Sequence, residues 1–281
     1  MSVTQQMDVF RQPPRLVLIL QQSIYYAMRY TFGTSEAAAN RLEEIAKFFN
    51  PLALQFIRQY LSDPTSSALD LGCGPGFTTD MLSRATRCPN VYGMDKSADF
   101  LKLATARFKH CTFIEHDVTK TPFPVRADVM YLRFLFSHLK NVVELINRWI
   151  GEVQDNGILF IEELEDVTTE VKVFQKYLKI NADLIASQGA NLYVGTTLSK
   201  GMYNADVICN EYVTIQVANF TAATWFLPNT LTIWKEEQYI LDNVTQAERE
   251  EISTAISQIK ESGDAREGST WKIRRLALKQ K

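Results

Sequence analysis

A short glycine-rich segment carries the clearest chemical signal in the 281-residue sequence. It starts at Asp70 and continues with Gly72, Gly74 and Gly76. Glycine is needed where the backbone turns sharply or approaches a ligand too closely for a Cβ atom. In open α/β sheets such a loop follows the first strand, at the edge where ligands bind. The segment therefore predicts a ligand-binding loop.

The spacing of this loop argues against a dinucleotide. A dinucleotide fingerprint reads GxGxxG, whereas Gly76 comes only two residues after Gly74. The carboxylate of Asp70 would repel a pyrophosphate, but it would attract a cationic sulfonium compound that carries an α-amino group. A nicotinamide oxidoreductase is an alternative use of the same crevice, although no convincing GxGxxG with a catalytic Tyr/Lys or His set is found.

Two more acidic residues follow the next two predicted strands. Asp95 ends the run Val91–Asp95, where its carboxylate can accept two hydrogen bonds from a ribose diol. Asp117 follows the third strand and can accept a hydrogen bond from an adenine amino group. Three acids at successive strand ends, together with one glycine loop, predict a site for an adenosyl sulfonium compound.

The elements that must position these residues alternate along the chain from Ser67 onward. Such alternation predicts a doubly wound α/β fold, in which helices cover both faces of a mostly parallel sheet. Strands are predicted at 68–71, 91–94, 112–115, 127–132, 157–162, 211–217 and 271–278. Helices are predicted at 97–108, 141–153 and 171–188, and as two consecutive helices within 36–61, separated at Asn50-Pro51. A loop is expected over 189–206.

Composition narrows the class of partner. Thirty basic and thirty-two acidic residues give a formal charge of −2, so no long-range field favours nucleic acid or an anionic membrane surface. The four cysteines contain no CxxC pair, which argues against a metal site and a disulfide framework. The longest early apolar stretch, 16–20, is too short to span a bilayer. We therefore expect an intracellular, cytoplasmic protein that binds a small molecule.

Four segments resemble the class I S-adenosylmethionine-dependent methyltransferases: Ala68–Gly76, Gly93–Asp95, His116–Val118 and Ala127–Tyr131. The resemblance covers about residues 28–165. It implies a Rossmann-like sheet with an antiparallel last strand, and S-adenosylmethionine as the methyl donor, with S-adenosylhomocysteine as the product. It also implies that the first acid and the glycines hold the methionine end, the second acid the ribose and the third acid the adenine. These roles fall on Asp70, Gly72, Gly74, Gly76, Asp95 and Asp117.

Three further segments are similar to a subgroup that acts on small molecules: 30–36, 133–139 and 161–163. This resemblance implies that Tyr30 and Arg133 close over the methionine moiety. Lys96 stands where the family usually has an apolar residue after the ribose acid. Further cofactor contacts are expected from Cys73, Val118 and Leu132.

The pattern of predicted elements also suggests how the chain is divided. We expect an N-terminal helical segment over 1–61, a cofactor-binding core over 62–165, a helical cap insertion over 166–206 and a C-terminal completion of the core over 207–281. The helical additions are candidates for a substrate cap, and they could equally cover the core.

Methyl transfer is a one-step displacement, so the protein must mainly align the reactants and exclude water. His138, after the fourth strand, is the candidate base or acceptor-orienting donor, and it could instead cap or pack against the next helix. His110 and His116 are expected to be structural. One of Glu162 and Glu163 should point into the cleft, because neighbouring strand residues face opposite ways.

Late aromatic residues could wall an acceptor pocket, although core packing explains them as well. They are Tyr193, Tyr203, Trp225, Phe226 and Trp234. The sequence thus predicts a methyltransferase that acts on a small-molecule acceptor, such as a secondary metabolite, without nucleic acid, membrane or metal. A homodimer is left open. The alternatives are a cofactor-binding protein without methyl transfer, such as a cyclase or a non-catalytic partner, and the oxidoreductase.

Overall fold

The fold is built on one seven-stranded sheet with the strand order β3-β2-β1-β4-β5-β7-β6. It is seen in a computed structural model that describes residues 36–61 and 64–281. The strands are β1 (Ser67–Leu71), β2 (Asn90–Asp95), β3 (Thr112–Glu115), β4 (Ala127–Arg133), β5 (Val153–Thr168), β6 (Asp206–Ala218) and β7 (Gly268–Lys279). Strand β7 is antiparallel to both β5 and β6, and the other paired strands are parallel. The predicted fold class is confirmed.

Helices cover both faces of the sheet. In chain order they are α1 (Glu36–Tyr60), α2 (Phe77–Thr86), α3 (Ala98–Arg107), α4 (Val142–Ile150), α5 (Lys172–Ser187), α6 (Gly195–Leu198), α7 (Asn219–Leu231), α8 (Ile233–Glu236), α9 (Gln238–Asn243) and α10 (Gln246–Ser262). The short helix α6 lies inside the region that was expected to be a loop. None of the described helices is long and apolar enough to cross a membrane.

The apolar stripe of α4 explains why it packs on the sheet. Leu145, Ile146 and Trp149 recur at helical spacing and are buried against β4 and β5 in one core cluster. On the opposite face, the second half of α1 and helix α2 bury Phe56 and Leu82 in another cluster. The sheet is therefore covered on both sides, as its continuous apolar strands require.

The prediction of two consecutive helices within 36–61 was wrong. One helix, α1, runs through Pro51 without a break. A proline inside a helix removes one backbone hydrogen bond, but burial of Phe49 before it and of Phe56 after it anchors both halves to the core. Asn50 does not cap a helix; its amide donates to the carbonyl of Phe77.

Strand β5 is longer than the predicted 157–162, and its extension leads into helix α5. Beyond Glu162 it continues to Thr168 and pairs with β7, so that acidic residues of β5 face basic residues of β7. Glu162 pairs with Arg275 at 2.8 Å, and Arg274 bonds to Glu165. Opposite charges across strands stabilise a sheet, whereas in the sequence alone the acidic run suggests the end of a strand.

The helices after β5 form a third core cluster above the carboxyl ends of the strands. In it the ring of Tyr177 on α5 stacks on Phe226 of α7, with the centroids 4.3 Å apart, and on Trp234 at 5.4 Å. Phe49 of α1 and Trp271 of β7 also belong to this cluster. The cap, which consists of helices α5 to α10, thus packs around an aromatic core above the ligand-binding edge of the sheet.

Candidate active site

A cavity of about 960 Å³ lies at the carboxyl edge of the sheet. Its floor is made by the loop after β1 and by the ends of β2, β4 and β5, and its roof by α1, α5 and α7. The strand order reverses beside β1, which is where open α/β sheets bind ligands. The volume is at the upper end of the range for small-molecule sites, about 300–1,000 Å³.

The glycine loop forms one wall of this cavity. The backbone N–H groups of Gly72 and Cys73 both donate to the carbonyl of Met94, at 2.7 and 3.0 Å. Gly72 has φ +67°, and a Cβ atom there would lie 2.7 Å from Cδ1 of Leu135. The loop needs glycine here both for its left-handed backbone and for its close approach to the segment after β4.

Asp70 lies beneath the loop and does not line the cavity. It is 1% exposed, and its Oδ2 accepts hydrogen bonds from the hydroxyls of Thr78 at 2.6 Å and Thr79 at 2.7 Å. Burial raises the pKa of Asp70 to about 7, although the two hydroxyls oppose the shift. Asp70 thus ties the loop to the start of α2, and its contact with the methionine end of a cofactor stays a prediction.

Asp95 and Asp117 both line the cavity. The Oδ2 of Asp95 accepts the N–H of Gly74 at 2.9 Å, and its Oδ1 accepts the N–H of Ser97 at 2.8 Å. Burial raises the pKa of Asp95. Burial also acts to raise the pKa of Asp117, but hydrogen bonds from Thr119 lower it overall. Each carboxylate oxygen has further lone pairs, so a diol or amino group can still be bound.

The structure brings most of the predicted cofactor residues to the same cavity. Those that line it are Gly72, Cys73, Gly74, Asp95, Lys96, Asp117, Val118 and Arg133. Gly76 instead packs α2 against α3, since a Cβ atom there would lie 3.0 Å from that of Ala104. Leu132 is fully buried in the core. Tyr30 lies outside the described residues.

Arg133 presents a half-buried cation to the cavity. Its Nη2 donates to Oδ1 of Asn50 at 2.9 Å, and its guanidinium lies 5.8 Å from the ring centroids of both Phe49 and Phe134. Its Nη1 is buried and has no hydrogen-bond partner within the described part of the chain. A buried N–H group without an acceptor is costly, so this end of the guanidinium is suited to a carboxylate ligand.

The structure separates the two neighbouring glutamates of β5. Glu162 faces the α1 side, where it accepts the hydroxyl of Tyr131 at 2.9 Å and pairs with Arg275. Glu163 lines the cavity, and burial raises its pKa to about 8, although two backbone N–H groups oppose the shift. Sequence reasoning left open which of the two would face the cleft, and it is Glu163.

His138 lines the cavity from a 3₁₀ turn, Phe136–His138, that follows β4. Burial, and then the cations of Arg41 and Lys96, lower its pKa to about 3. A base works best when its pKa lies near the working pH, so this neutral imidazole is better suited to orient an acceptor than to remove its proton. Either role stays a prediction. His116, which was expected to be structural, also lines the cavity.

The cap supplies an aromatic and amide wall that sequence reasoning identified only in part. Trp225 and Phe226 line the cavity, whereas Trp234 is fully buried in the cap core. Asn229 and Asn181, which were missed, also line it; Asn229 donates to the hydroxyl of Tyr177 at 2.7 Å. Helical periodicity could have placed these amides on a buried face, but not above the glycine loop.

A mostly parallel sheet whose glycine loop and strand-end acids open into one cleft defines a Rossmann-like ligand-binding protein. Comparisons with known proteins narrow this class. Residues 69–161 match the family described as "Methyltransferase domain". Two trans-aconitate 2-methyltransferases of Rhodopseudomonas palustris are 34% identical over 102 residues (strain BisB18) and 31% identical over 103 residues (strain BisA53).

These matches are partial. They cover 36% and 37% of this chain, and the chain spans about 40% of the length of either curated relative. Among solved structures, BH2331 of Bacillus halodurans C-125 aligns with a TM-score of 0.52 at 14% identity, over 81% of this chain and 98% of that one. A likeness at this level of identity shows the fold alone.

Residues 69–161 therefore belong to the methyltransferase domain family, and the predicted class I S-adenosylmethionine-dependent type is confirmed for this domain. S-Adenosylmethionine is the methyl donor of that class. The residues present fit this cofactor, because the cleft offers acids at the ends of β2 and β3 and an unpartnered Nη1 on Arg133.

Proposed function

We propose that the whole chain catalyses transfer of a methyl group from S-adenosylmethionine to a small-molecule acceptor. The observation that carries the proposal is the continuity of one cavity from the glycine loop and Asp95 to the aromatic wall of Trp225 and Phe226. A donor held at the first end and an acceptor at the second end would lie side by side, away from bulk water.

Different residues of the cavity would bind different parts of the cofactor. Asp95 and Asp117 would hold the ribose and adenine, and Arg133 the methionine carboxylate. The bound cofactor supplies a methyl carbon that is already activated by its sulfonium. A lone pair of the acceptor forms the new bond to that carbon, and the electron pair of the old bond stays on sulfur. No nucleophilic side chain is needed, so alignment is the main task of the protein.

The acceptor wall favours a flat, mainly apolar acceptor with a hydrogen-bonding group. Trp225, Phe226 and Trp271 offer ring surface, and Asn229 and Tyr177 offer polar atoms between the rings. The matched relatives are named for trans-aconitate, whose three carboxylates would need cationic partners, and none of these five wall residues is a cation. All five of these wall residues lie outside the family match at 69–161, so the acceptor need not be shared with those relatives.

The test is a transfer assay with methyl-labelled cofactor and a panel that pairs trans-aconitate with flat phenols and heteroaromatic amines. We expect S-adenosylhomocysteine and a labelled product with a flat acceptor. Labelling of trans-aconitate alone would contradict the proposed acceptor class. Binding of the cofactor without S-adenosylhomocysteine formation, on the panel or on cell extract, would favour the non-transferring alternative.

A further inference from the structure

The carboxyl group of Glu163 has one oxygen that forms no hydrogen bond with the described part of the chain. Glu163 is fully buried and lines the cavity. Its Oε1 accepts the backbone N–H groups of Leu135 and Phe136, both at 2.7 Å. Its Oε2 is buried and accepts no hydrogen bond from the residues that the structure describes. A buried carboxylate with an open oxygen is unfavourable unless a donor or a cation meets it.

The other acids in the second half of β5 do not share this situation. Glu162 and Glu165 are paired with Arg275 and Arg274, and Asp166 lies 4.0 Å from Lys272. Each of these pairs stabilises the contact between β5 and β7, whereas Glu163 faces the cavity. A role in holding the strands together therefore does not explain Glu163.

The position of Glu163 relative to the glycine loop indicates which part of a ligand it would meet. Its Oε1 holds Leu135, and the side chain of Leu135 lies against Gly72. Asp95 and Asp117, the proposed adenosine ligands, end β2 and β3 on the far side of β1. A cofactor with its adenosine at β2 and β3 would extend its sulfur toward β4 and β5, where Glu163 lies.

We propose that Oε2 of Glu163 faces the sulfonium group and its methyl, so that the protein distinguishes the charged methyl donor from its uncharged product. The inference rests on the proposed function, since the cofactor must occupy the cleft. The attraction exists only before transfer, because loss of the methyl group removes the positive charge from sulfur. Glu163 would then favour entry of the donor and departure of the product.

The test compares the affinities for S-adenosylmethionine and S-adenosylhomocysteine by titration calorimetry at pH 8. The Glu163→Gln variant keeps an oxygen for the N–H groups of Leu135 and Phe136 but cannot carry a charge. We expect it to bind S-adenosylmethionine about tenfold more weakly, and S-adenosylhomocysteine within about twofold of the unaltered protein. Glu162→Gln, a neighbouring carboxylate on the opposite face, is the matched control and should leave the ratio unchanged.

Equal weakening of both ligands by Glu163→Gln would overturn the proposal, because it would show that Glu163 only positions the loop. Failure of the unaltered protein to bind either ligand would instead overturn the proposed function, on which the proposal rests. These two failures are therefore distinguishable.

A measurement on the unaltered protein covers the case in which the substitution disturbs folding. Calorimetry at pH 7.5 in two buffers of different ionisation enthalpy gives the number of protons released on binding. The sulfonium should ionise Glu163, so S-adenosylmethionine should release a larger fraction of a proton than S-adenosylhomocysteine. The amino and carboxyl groups are common to both ligands, and equal release would contradict the proposal.

Discussion

The two halves of the cavity are built in different ways. The cofactor half consists of the glycine loop and the ends of β1–β4, where each group follows its strand directly in the chain. The acceptor half consists of Tyr177 and Asn181 on α5, the aromatic and amide residues of α7, and Trp271 of β7. Local sequence determines the first half, whereas tertiary packing of distant segments determines the second.

The halves also differ in what they offer a ligand. The cofactor half presents carboxylates and a guanidinium, which recognise fixed charges and hydroxyl groups. The acceptor half presents ring faces, with the amides of Asn181 and Asn229 between them. The difference indicates that changes in the cap could alter the acceptor and leave cofactor binding intact. Substitutions in each half test whether acceptor binding and cofactor binding are independent.

A large effect is expected from a substitution in the glycine loop. Gly72→Ala forces a side chain into a left-handed backbone and against Leu135, which Glu163 holds in place. We expect affinity for S-adenosylhomocysteine, measured by calorimetry, to fall about 30-fold, because the displaced side chains intrude on the cavity.

Gly263→Ala is the matched control for this change. Gly263 has a similar φ of +59°, but no atom lies within 4 Å of its would-be Cβ. Its substitution should cost about 1 kcal/mol of stability and leave the affinity within about twofold. Equal loss of affinity in both variants would show that backbone strain alone, and not the loop, causes the effect.

A smaller effect is expected in the acceptor half. Asn229→Ala removes a buried hydrogen bond to Tyr177 and should lower the free energy of unfolding by about 1–3 kcal/mol in chemical denaturation. Affinity for S-adenosylhomocysteine should stay within about twofold, while transfer to an acceptor declines. Asn243→Ala, at an exposed position, should change stability by less than about 0.5 kcal/mol. Loss of cofactor binding in Asn229→Ala would show that the halves are coupled.

A gradual effect is expected on the pH dependence of stability. The pKa of Glu163 is raised to about 8 from its ordinary value of 4.5, so the folded protein binds its proton more tightly than the unfolded chain does. Its contribution to stability is present below pH 4.5 and is lost as the pH rises toward 8. Denaturation of Glu163→Gln between pH 5 and 8 should therefore show a smaller fall, by at most about 1.4 kcal/mol per pH unit.

Asp128→Asn is the control with the opposite sign. Burial acts to raise the pKa of Asp128, but hydrogen bonds from Ser66 and Ser67 lower it overall. Its stabilising contribution is lost only as the pH falls below the ordinary value of 3.8. The difference in stability between Asp128→Asn and the unaltered protein should thus be constant from pH 5 to 8. If the stability of Glu163→Gln and that of the unaltered protein changed with pH in parallel, the raised pKa of Glu163 would be contradicted.

Much of the sheet and of the cofactor half could be predicted from the sequence. The strand β3 was predicted with its observed bounds, and Ser97, the first residue of the predicted helix 97–108, caps α3, because strand and cap signals are local. Asp95 and Asp117 were placed in the cleft for the same reason, since residues after parallel strands meet at one edge.

Long-range contacts explain what the sequence did not reveal. Pro51 looks like a helix start, and only packing on both sides keeps α1 continuous. The acidic end of β5 forms a strand because basic residues more than 100 positions later lie opposite; Glu165 and Arg274 are 109 positions apart in sequence. Asn181 and Asn229 lie on different helices, and they line the same cavity only when the cap has folded.

Titration of the unaltered protein with S-adenosylmethionine tests the central claim most directly, together with Asp95→Ala and Asp128→Ala. Asp128 is a suitable control because it also accepts backbone N–H groups but does not line the cavity. We predict saturable binding that Asp95→Ala weakens about 100-fold and Asp128→Ala changes by less than about twofold. Absence of S-adenosylmethionine binding, or protection by NAD instead, would contradict the account.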